Sequence, residues 1–294
     1  MLEAVEQQMR SWVIDLNDAF VLSLYDALPA GKRLRAKLVL LIAPEHKSAV
    51  ALASVIELIH ASSLLHDDVI DEAHTRRGVA SVNATHDSKT AVMLGDILYS
   101  KAYFELAKLG VEIAGIVANA VTQLSMGELM DVELTKSFNS DADIYLEMIY
   151  KKTASLIEAT TASAAILAGK DETSHALYGK NVGLAFQIID DILDITSDAK
   201  TLGKPVLNDY VEGKVTLPYI YLHDKIDEKQ KLESLYAKTL EAQDQQWLLE
   251  EIKQHETIEQ SYALASALSA EALEVIKGDT SLEYIVNSMM ERSF

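Results

Sequence analysis

The 294-residue sequence contains no cysteine. Disulfides, thiolate metal sites and cysteine nucleophiles are therefore excluded, and a reducing compartment is permitted. Proline and glycine are scarce as well, at 4 and 12 residues. So few chain breakers favour a nearly all-helical protein. Pro29, Pro44, Pro205 and Pro218 lie between periodic segments or at their starts, where helices tolerate them. Cations are outnumbered, with 26 Lys and Arg against 45 Asp and Glu and a formal charge of −19. A general nucleic-acid binder is not expected from that balance, and a site for an anionic substrate must gather its cations locally. No unbroken apolar stretch reaches the roughly 18 to 20 residues that cross a bilayer. The start, Met-Leu-Glu-Ala-Val-Glu, lacks the basic and apolar regions of a signal peptide. A soluble, cytoplasmic protein is expected. Hydrophobic residues make up 49% of the chain, ample for a large core, and no linker or low-complexity tract interrupts it. One domain over residues 1–294 is expected.

The informative stretch runs from Ile56 to Gly78. An apolar helical run leads into Asp67, Asp68 and Asp71 and then a basic pair, Arg76 and Arg77. Asp67 and Asp71 stand four residues apart, so on a helix their carboxylates share a side. Such a pair suits a hard divalent cation, Mg²⁺ above all, and arginines just past the helix end suit phosphate oxygens. By itself the block also fits a solvated helix end. A second triplet, Asp190, Asp191 and Asp194, repeats the spacing after another apolar run from Gly183. Two matched triplets are hard to assign to solvation, and the economical arrangement sets them across a cavity with metal ions between.

The rest reads as a succession of helices. Residues 3–27 predict one amphipathic helix. The basic cluster Gly31-Lys32-Arg33-Leu34-Arg35 lies at the start of a shorter helix, whose backbone N–H groups add to the attraction for an anion. Residues 48–71, 90–109, 112–135 and 141–167 predict core helices, with Gly169-Lys170 as a stop. Gly95-Asp96 and Gly127-Glu128 each set an acid beside a glycine on an apolar face. The loop carrying Lys204 and Lys214 suits a flexible lid over a diphosphate. Residues 216–294 predict a more polar helical scaffold.

With Leu65-His66-Asp67-Asp68-Val69-Ile70-Asp71, Thr75-Arg76-Arg77-Gly78 and Phe186-Gln187-Ile188-Ile189-Asp190-Asp191-Ile192-Leu193-Asp194 in place, the sequence resembles the trans-isoprenyl diphosphate synthases over about residues 31–218. The resemblance implies an all-α fold, a bundle of long, mostly antiparallel helices around a central cavity (the isoprenoid synthase fold). It also implies head-to-tail condensation of isopentenyl diphosphate onto an allylic diphosphate such as farnesyl diphosphate. Asp67, Asp71 and Asp190 would ligate several Mg²⁺ ions on the allylic diphosphate, with Asp68, Asp191 and Asp194 in direct or indirect support. Arg76 would hold that diphosphate, with Lys152, Lys204 and Lys214 closing around it. Lys32, Arg35, His60 and Arg77 would form the metal-free isopentenyl diphosphate pocket. Thr153, the Lys152 carbonyl and Gln187 would face the developing carbocation. The expected partners are these two substrates and a second copy in a homodimer, with a peripheral membrane contact for product release. The chain departs from the family pattern at Ala30, Ala36, His74, Asp131 and Leu207, which touches loop geometry and removes no proposed ligand.

Short-chain members of that family carry a bulky aromatic one turn behind the first aspartate. Here Ser62 and Ser63 occupy those positions. An octaprenyl-like, quinone-side-chain product is the expectation. The alternatives are a short-chain farnesyl or geranylgeranyl synthase, with a floor supplied by another helix, and a non-catalytic partner subunit.

Overall fold

The computed structural model describes residues 1–196 and 207–291. Helices account for most of it. They are α1 (Leu2–Ile14), α2 (Ala19–Asp26), α3 (Leu34–Ile42), α4 (Ala49–Ile70), α5 (Val82–Thr85), α6 (Ser88–Leu106), α7 (Val111–Leu134), α8 (Ala142–Ile149), α9 (Ser155–Ala168) and α10 (Glu172–Thr196). After these come Asn208–Val211, Leu217–Lys225, Lys229–Leu235, Ala242–Gln254, Thr257–Val275 and Thr280–Met290. A two-residue antiparallel hairpin, β1 (Thr75–Arg76) with β2 (Val79–Ala80), carries the first arginine of the basic pair.

The helices form two compact units, each discontinuous in sequence. The first comprises residues 1–121 and 159–173, the second residues 122–158 and 174–294. Helices α7, α9 and α10 supply residues to both.

In the first unit α4 packs against α1, α3 and α6. Its faces explain this role, since Leu52, Ala53, Val55, Ile56, Leu58 and Ile59 are all fully buried. The averaged hydropathy of α4 makes it long and apolar enough to span a membrane by composition, although polar residues interrupt its apolar runs. This corrects the expectation from unbroken runs alone, but most of α4 is buried inside the protein, as a core helix is. The single helix expected over residues 3–27 is two. Asn17 takes a left-handed φ of 55°, and the Asp18 side chain caps α2 by accepting from the Phe20 and Val21 N–H groups. Asp87 and Asp141 likewise cap α6 and α8.

In the second unit the helix Leu217–Lys225, with Pro218 in its first turn, packs on Thr257–Val275, Ala242–Gln254 and α8. Tyr178, Tyr210 and Tyr219 are fully buried there. The long helix expected over residues 141–167 is interrupted by a π-helical turn, Tyr150–Ala154. Its predicted stop is observed, with Gly169 at φ 63°.

Candidate active site

The first triplet closes α4. The Asp71 N–H donates to the Asp67 carbonyl at 2.8 Å, so the two carboxylates stand one turn apart at the helix C-terminus, where orphan carbonyls favour a cation. Asp67 is half-buried and Asp71 exposed. Asp68 points inward and is buried, and the Arg76 guanidinium donates to it at 2.7 Å. Burial raises the Asp68 pKa despite that arginine. Asn83 pins the intervening loop by donating to the Asp68 and Ala73 carbonyls, both at 3.0 Å.

The two basic loops lie together. Arg33 and Arg77 both adopt left-handed backbone, φ 51° and 52°, a strained conformation for side-chain-bearing residues. The buried Glu57 holds the first loop, accepting from the Ala36 N–H at 2.9 Å and from Arg33 at 3.3 Å. Arg77 donates to the Ala30 carbonyl at 3.1 Å, and a Cβ on Gly31 would come within 3.0 Å of its guanidinium. Beneath them the His60 pKa is pushed well below its usual value, by burial first and then by Arg35, Arg77, Arg76 and Arg33. The Arg35 Nε is buried and, among the described residues, has no hydrogen-bond partner. A positive, incompletely hydrogen-bonded pocket of this kind suits a diphosphate oxygen. Arg35, His60, Arg76 and Arg77 are thus brought together, with Arg33 beside them. Lys32 lies exposed on the same loop. Ser62 and Ser63 are 0% and 4% exposed, and the Ser63 hydroxyl donates to the His60 carbonyl at 2.9 Å.

The second triplet sits on α10 beside the π turn. Thr153 donates to the Gln187 Oε1 at 2.9 Å, and the Gln187 Nε2 donates to the Asp191 Oδ1 at 2.8 Å. The Tyr145 hydroxyl, from α8, donates to the other oxygen of Asp191. Burial pushes the Asp191 carboxyl well up, with Asp209 adding to it, against these two hydrogen bonds. Two glycines make room for the turn. A Cβ on Gly127 would lie 2.2 Å from the Lys152 backbone nitrogen, and one on Gly183 would lie 2.6 Å from the Ala154 Cα. The Lys152 ammonium is held by Asp131 at 2.5 Å and Glu128 at 2.8 Å, which raise its pKa against the effect of burial. Asp131 is the departure noted from the family pattern, and here it anchors a site lysine. Asp190 is exposed. Asp194 is buried and accepts from the Asp209 N–H at 3.0 Å.

The flexible lid needs correction over residues 207–214. Asp194 ties its start, the Lys214 N–H donates to the Asp209 carbonyl at 2.7 Å, and the Tyr236 hydroxyl donates to the Gly213 carbonyl at 2.8 Å. The Lys214 side chain is half-buried, 3.4 Å from Glu212. Lys204 lies outside the described residues. The residues that sequence reasoning missed are Glu57, Asn83 and Tyr145. Glu57 carried a signal, as a lone acid between Ile56 and Leu58, whereas the buried Tyr145 carried none.

Among the described residues no three His, Asp or Glu side chains gather closely enough to enclose a metal ion alone. Mg²⁺ bound with a diphosphate needs only one or two carboxylates per ion, the rest being phosphate oxygens and water, so the all-oxygen pair Asp67 and Asp71 fits it.

The family model for polyprenyl synthetase matches residues 20–252. The chain belongs to the polyprenyl synthetase family. Octaprenyl pyrophosphate synthase from Helicobacter pylori superposes with a TM-score of 0.95 and 42% identity, covering 99% of this chain and 98% of that one. This polyprenyl synthetase therefore has the all-helical isoprenoid synthase fold. It is 43% identical over 187 residues to a mitochondrial solanesyl-diphosphate synthase of Oryza sativa, covering 60% of this chain but 44% of the rice protein. It is also 35% identical over 243 residues to a short chain isoprenyl diphosphate synthase of Methanothermobacter thermautotrophicus, covering 78% of this chain and 75% of that protein. As an enzyme it is a trans-prenyl diphosphate synthase, and its relatives span several product lengths.

Proposed function

We propose that this polyprenyl synthetase is a Mg²⁺-dependent long-chain synthase that extends farnesyl diphosphate with isopentenyl diphosphate to octaprenyl diphosphate. The observation that carries the length is the pair of small, buried side chains, Ser62 and Ser63, one turn behind Asp67 on α4. No bulky group of α4 itself closes a channel there.

In this reading Asp67, Asp71 and Asp190 ligate the metal, and Asp68, Asp191 and Asp194 support them. Bound Mg²⁺ supplies stabilisation of the diphosphate charge that develops as the allylic C–O bond breaks. Arg76 adds fixed positive charge to the leaving diphosphate, and Lys152, Lys204 and Lys214 are assigned to the same role by the family resemblance. Lys32, Arg35, His60 and Arg77 bind isopentenyl diphosphate so that its double bond is held against the allylic C1, which makes the alkylation effectively intramolecular. Thr153, Gln187 and the Lys152 carbonyl present oxygen atoms to the allylic cation. A new C–C bond forms, and the proton lost from the adduct passes to the departed diphosphate. Apolar walls keep water from quenching the cation.

The whole chain acts as one synthase domain, in the cytoplasm and as a homodimer. A second copy would cover the apolar side chains that α6 and α7 leave exposed, among them Phe104 at 60% and Val111 at 91%. The short-chain relative favours one other reading, a synthase whose channel is closed early by another helix. Incubation of the purified protein with both substrates and Mg²⁺, followed by sizing of the product, decides between them. Octaprenyl diphosphate is expected. Accumulation of farnesyl or geranylgeranyl diphosphate supports the short-chain reading, and absence of any elongation overturns the catalytic one.

A further inference from the structure

Four polar groups of the second unit form a closed ring. Thr153 donates to Gln187, Gln187 donates to Asp191, and Tyr145 donates to the remaining Asp191 oxygen. Tyr145 and Thr153 belong to one continuous segment, α8 running into the π turn, while Gln187 and Asp191 are a turn apart on α10. The ring is closed by backbone on both sides, so no member can turn without breaking a partner's bond.

A primary amide presents an oxygen at one end and hydrogens at the other, and nothing in its own shape says which way it faces. Here the carboxylate decides. In the structure one Asp191 oxygen accepts from the Tyr145 hydroxyl and the other from the Gln187 NH₂, which leaves the Gln187 carbonyl facing Thr153. Asp191 is in turn held from its far side by a phenol that is 1% exposed. We infer that Tyr145 is a positioning residue for prenyl transfer, fixing the Gln187 amide through Asp191. The inference rests on the proposed function, in which Gln187 and Thr153 face the allylic cation.

Without the hydroxyl, one oxygen of the buried Asp191 lacks its donor, and the carboxyl is free to turn and carry the Gln187 amide with it. A carbonyl turned from its place weakens the transition state and leaves the diphosphate-binding arginines untouched. The test is Tyr145→Phe, which keeps the ring volume, compared with Tyr178→Phe. Tyr178 is fully buried, and its hydroxyl donates to the Leu282 carbonyl at 3.1 Å, with no member of the ring involved. Both variants lose one buried hydrogen bond. Tyr145→Phe is expected to lower kcat about tenfold, the order of one hydrogen bond to a charged group, with KM for both substrates unchanged. Tyr178→Phe should keep the wild-type kcat. In a Gln187→Leu background, Tyr145→Phe should add little further loss, because the group it positions is gone.

An unchanged kcat in Tyr145→Phe, an equal loss in Tyr178→Phe, or a full further loss on top of Gln187→Leu would each overturn the inference. Should Tyr145→Phe not fold, Asp191→Asn carries the test. Its amide can offer Gln187 an NH₂ where an acceptor stood, so its loss of kcat must shrink in the Gln187→Leu background, and an undiminished loss there, as metal support alone would give, overturns the inference. The wild-type rate in the same assay separates the two readings. No wild-type elongation overturns the proposed function and this inference together, whereas normal wild-type elongation with an unaffected Tyr145→Phe overturns the role of Tyr145 alone.

Discussion

In the first triplet the middle aspartate, Asp68, is held by the guanidinium of Arg76, whereas in the second its counterpart Asp191 is held by a phenol and an amide. The last positions diverge too, since Asp71 is exposed while Asp194 is buried and caps a backbone N–H. One spacing has therefore been built into two environments. The first is charged, set on a hairpin and on loops with left-handed arginines. The second gives its middle aspartate only neutral donors and is braced by helix backbone on both sides of the π turn. Three of the six triplet aspartates are buried and committed to protein partners: Asp68, Asp191 and Asp194. Asp67, Asp71 and Asp190 keep their access to solvent, and these are the three proposed to meet the metal.

The sharpest way to break this comparison is to remove the leading aspartate of each triplet. Asp67→Ala and Asp190→Ala are each expected to lower the elongation rate by about a hundredfold or more, the scale of losing a group that stabilises leaving-group charge. Their urea midpoints should stay near wild type, because neither carboxylate is buried. Full activity in either variant would show that its triplet carries no metal. A large drop in the midpoint would instead make the residue a structural one.

The next effect separates the two environments by stability. A Cβ on Gly127 would meet the Lys152 backbone at 2.2 Å, whereas one on Gly95 would meet the His66 ring at 2.3 Å. A side chain can rotate away and a backbone cannot. Gly127→Ala should therefore cost about 3 kcal/mol or more, at the upper end for overpacking, and disturb the π turn. Gly95→Ala should cost about 1 kcal/mol, the low end of the same range. Chemical denaturation of both variants checks the order, and equal losses would mean the π turn is no more constrained than the face of α4.

What the sequence made legible follows the same division. Side-chain periodicity and spacing announced α4, α10, both triplets and the stop at Gly169, because those depend on local pattern. The hairpin after Asp71 and the break at Asn17 depend on backbone torsions that side-chain periodicity does not register, as left-handed Asn17, Arg77 and Gly78 show. Leu207 is the clearest case, a buried leucine at φ 63° where the family pattern has a glycine. The π turn was hidden for another reason. It is set by the meeting of Gly127, Gly183 and Lys152, which lie far apart in the chain. The same holds for Tyr145, whose partner Asp191 is 46 residues away.

A third test moves a feature of one triplet into the other. Four residues before its leading aspartate, the first triplet has Ser63 and the second has Phe186. Giving α4 the phenylalanine, as Ser63→Phe, is expected to shift the main product to a shorter prenyl chain while the total isopentenyl incorporation falls by less than in the aspartate variants. Mass spectrometry of the extracted products reads the shift. An unchanged product length would sink the assignment of the Ser62 and Ser63 side of α4 as channel wall.

The smallest effect belongs to His60, which lies among the cations of the first unit. Burial and Arg35, Arg77, Arg76 and Arg33 lower its pKa in the folded protein, so the native imidazole stays neutral where the unfolded chain already takes up a proton. Between the folded value and the usual value of about 6.5 the unfolded state binds more protons, and stability must then rise with pH. The contribution is complete above about pH 6.5 and is lost as the pH falls below it. Urea unfolding at pH 7.5 and 5.5 should show the wild type losing more stability on acidification than His60→Gln, whose side chain does not titrate. The two proteins differ at one side chain of the first unit, so the difference between them isolates His60. Equal pH dependence in the two proteins would mean that the four arginines do not act on His60 as a cluster, and the positive pocket that distinguishes the first triplet from the second would lose its electrostatic basis.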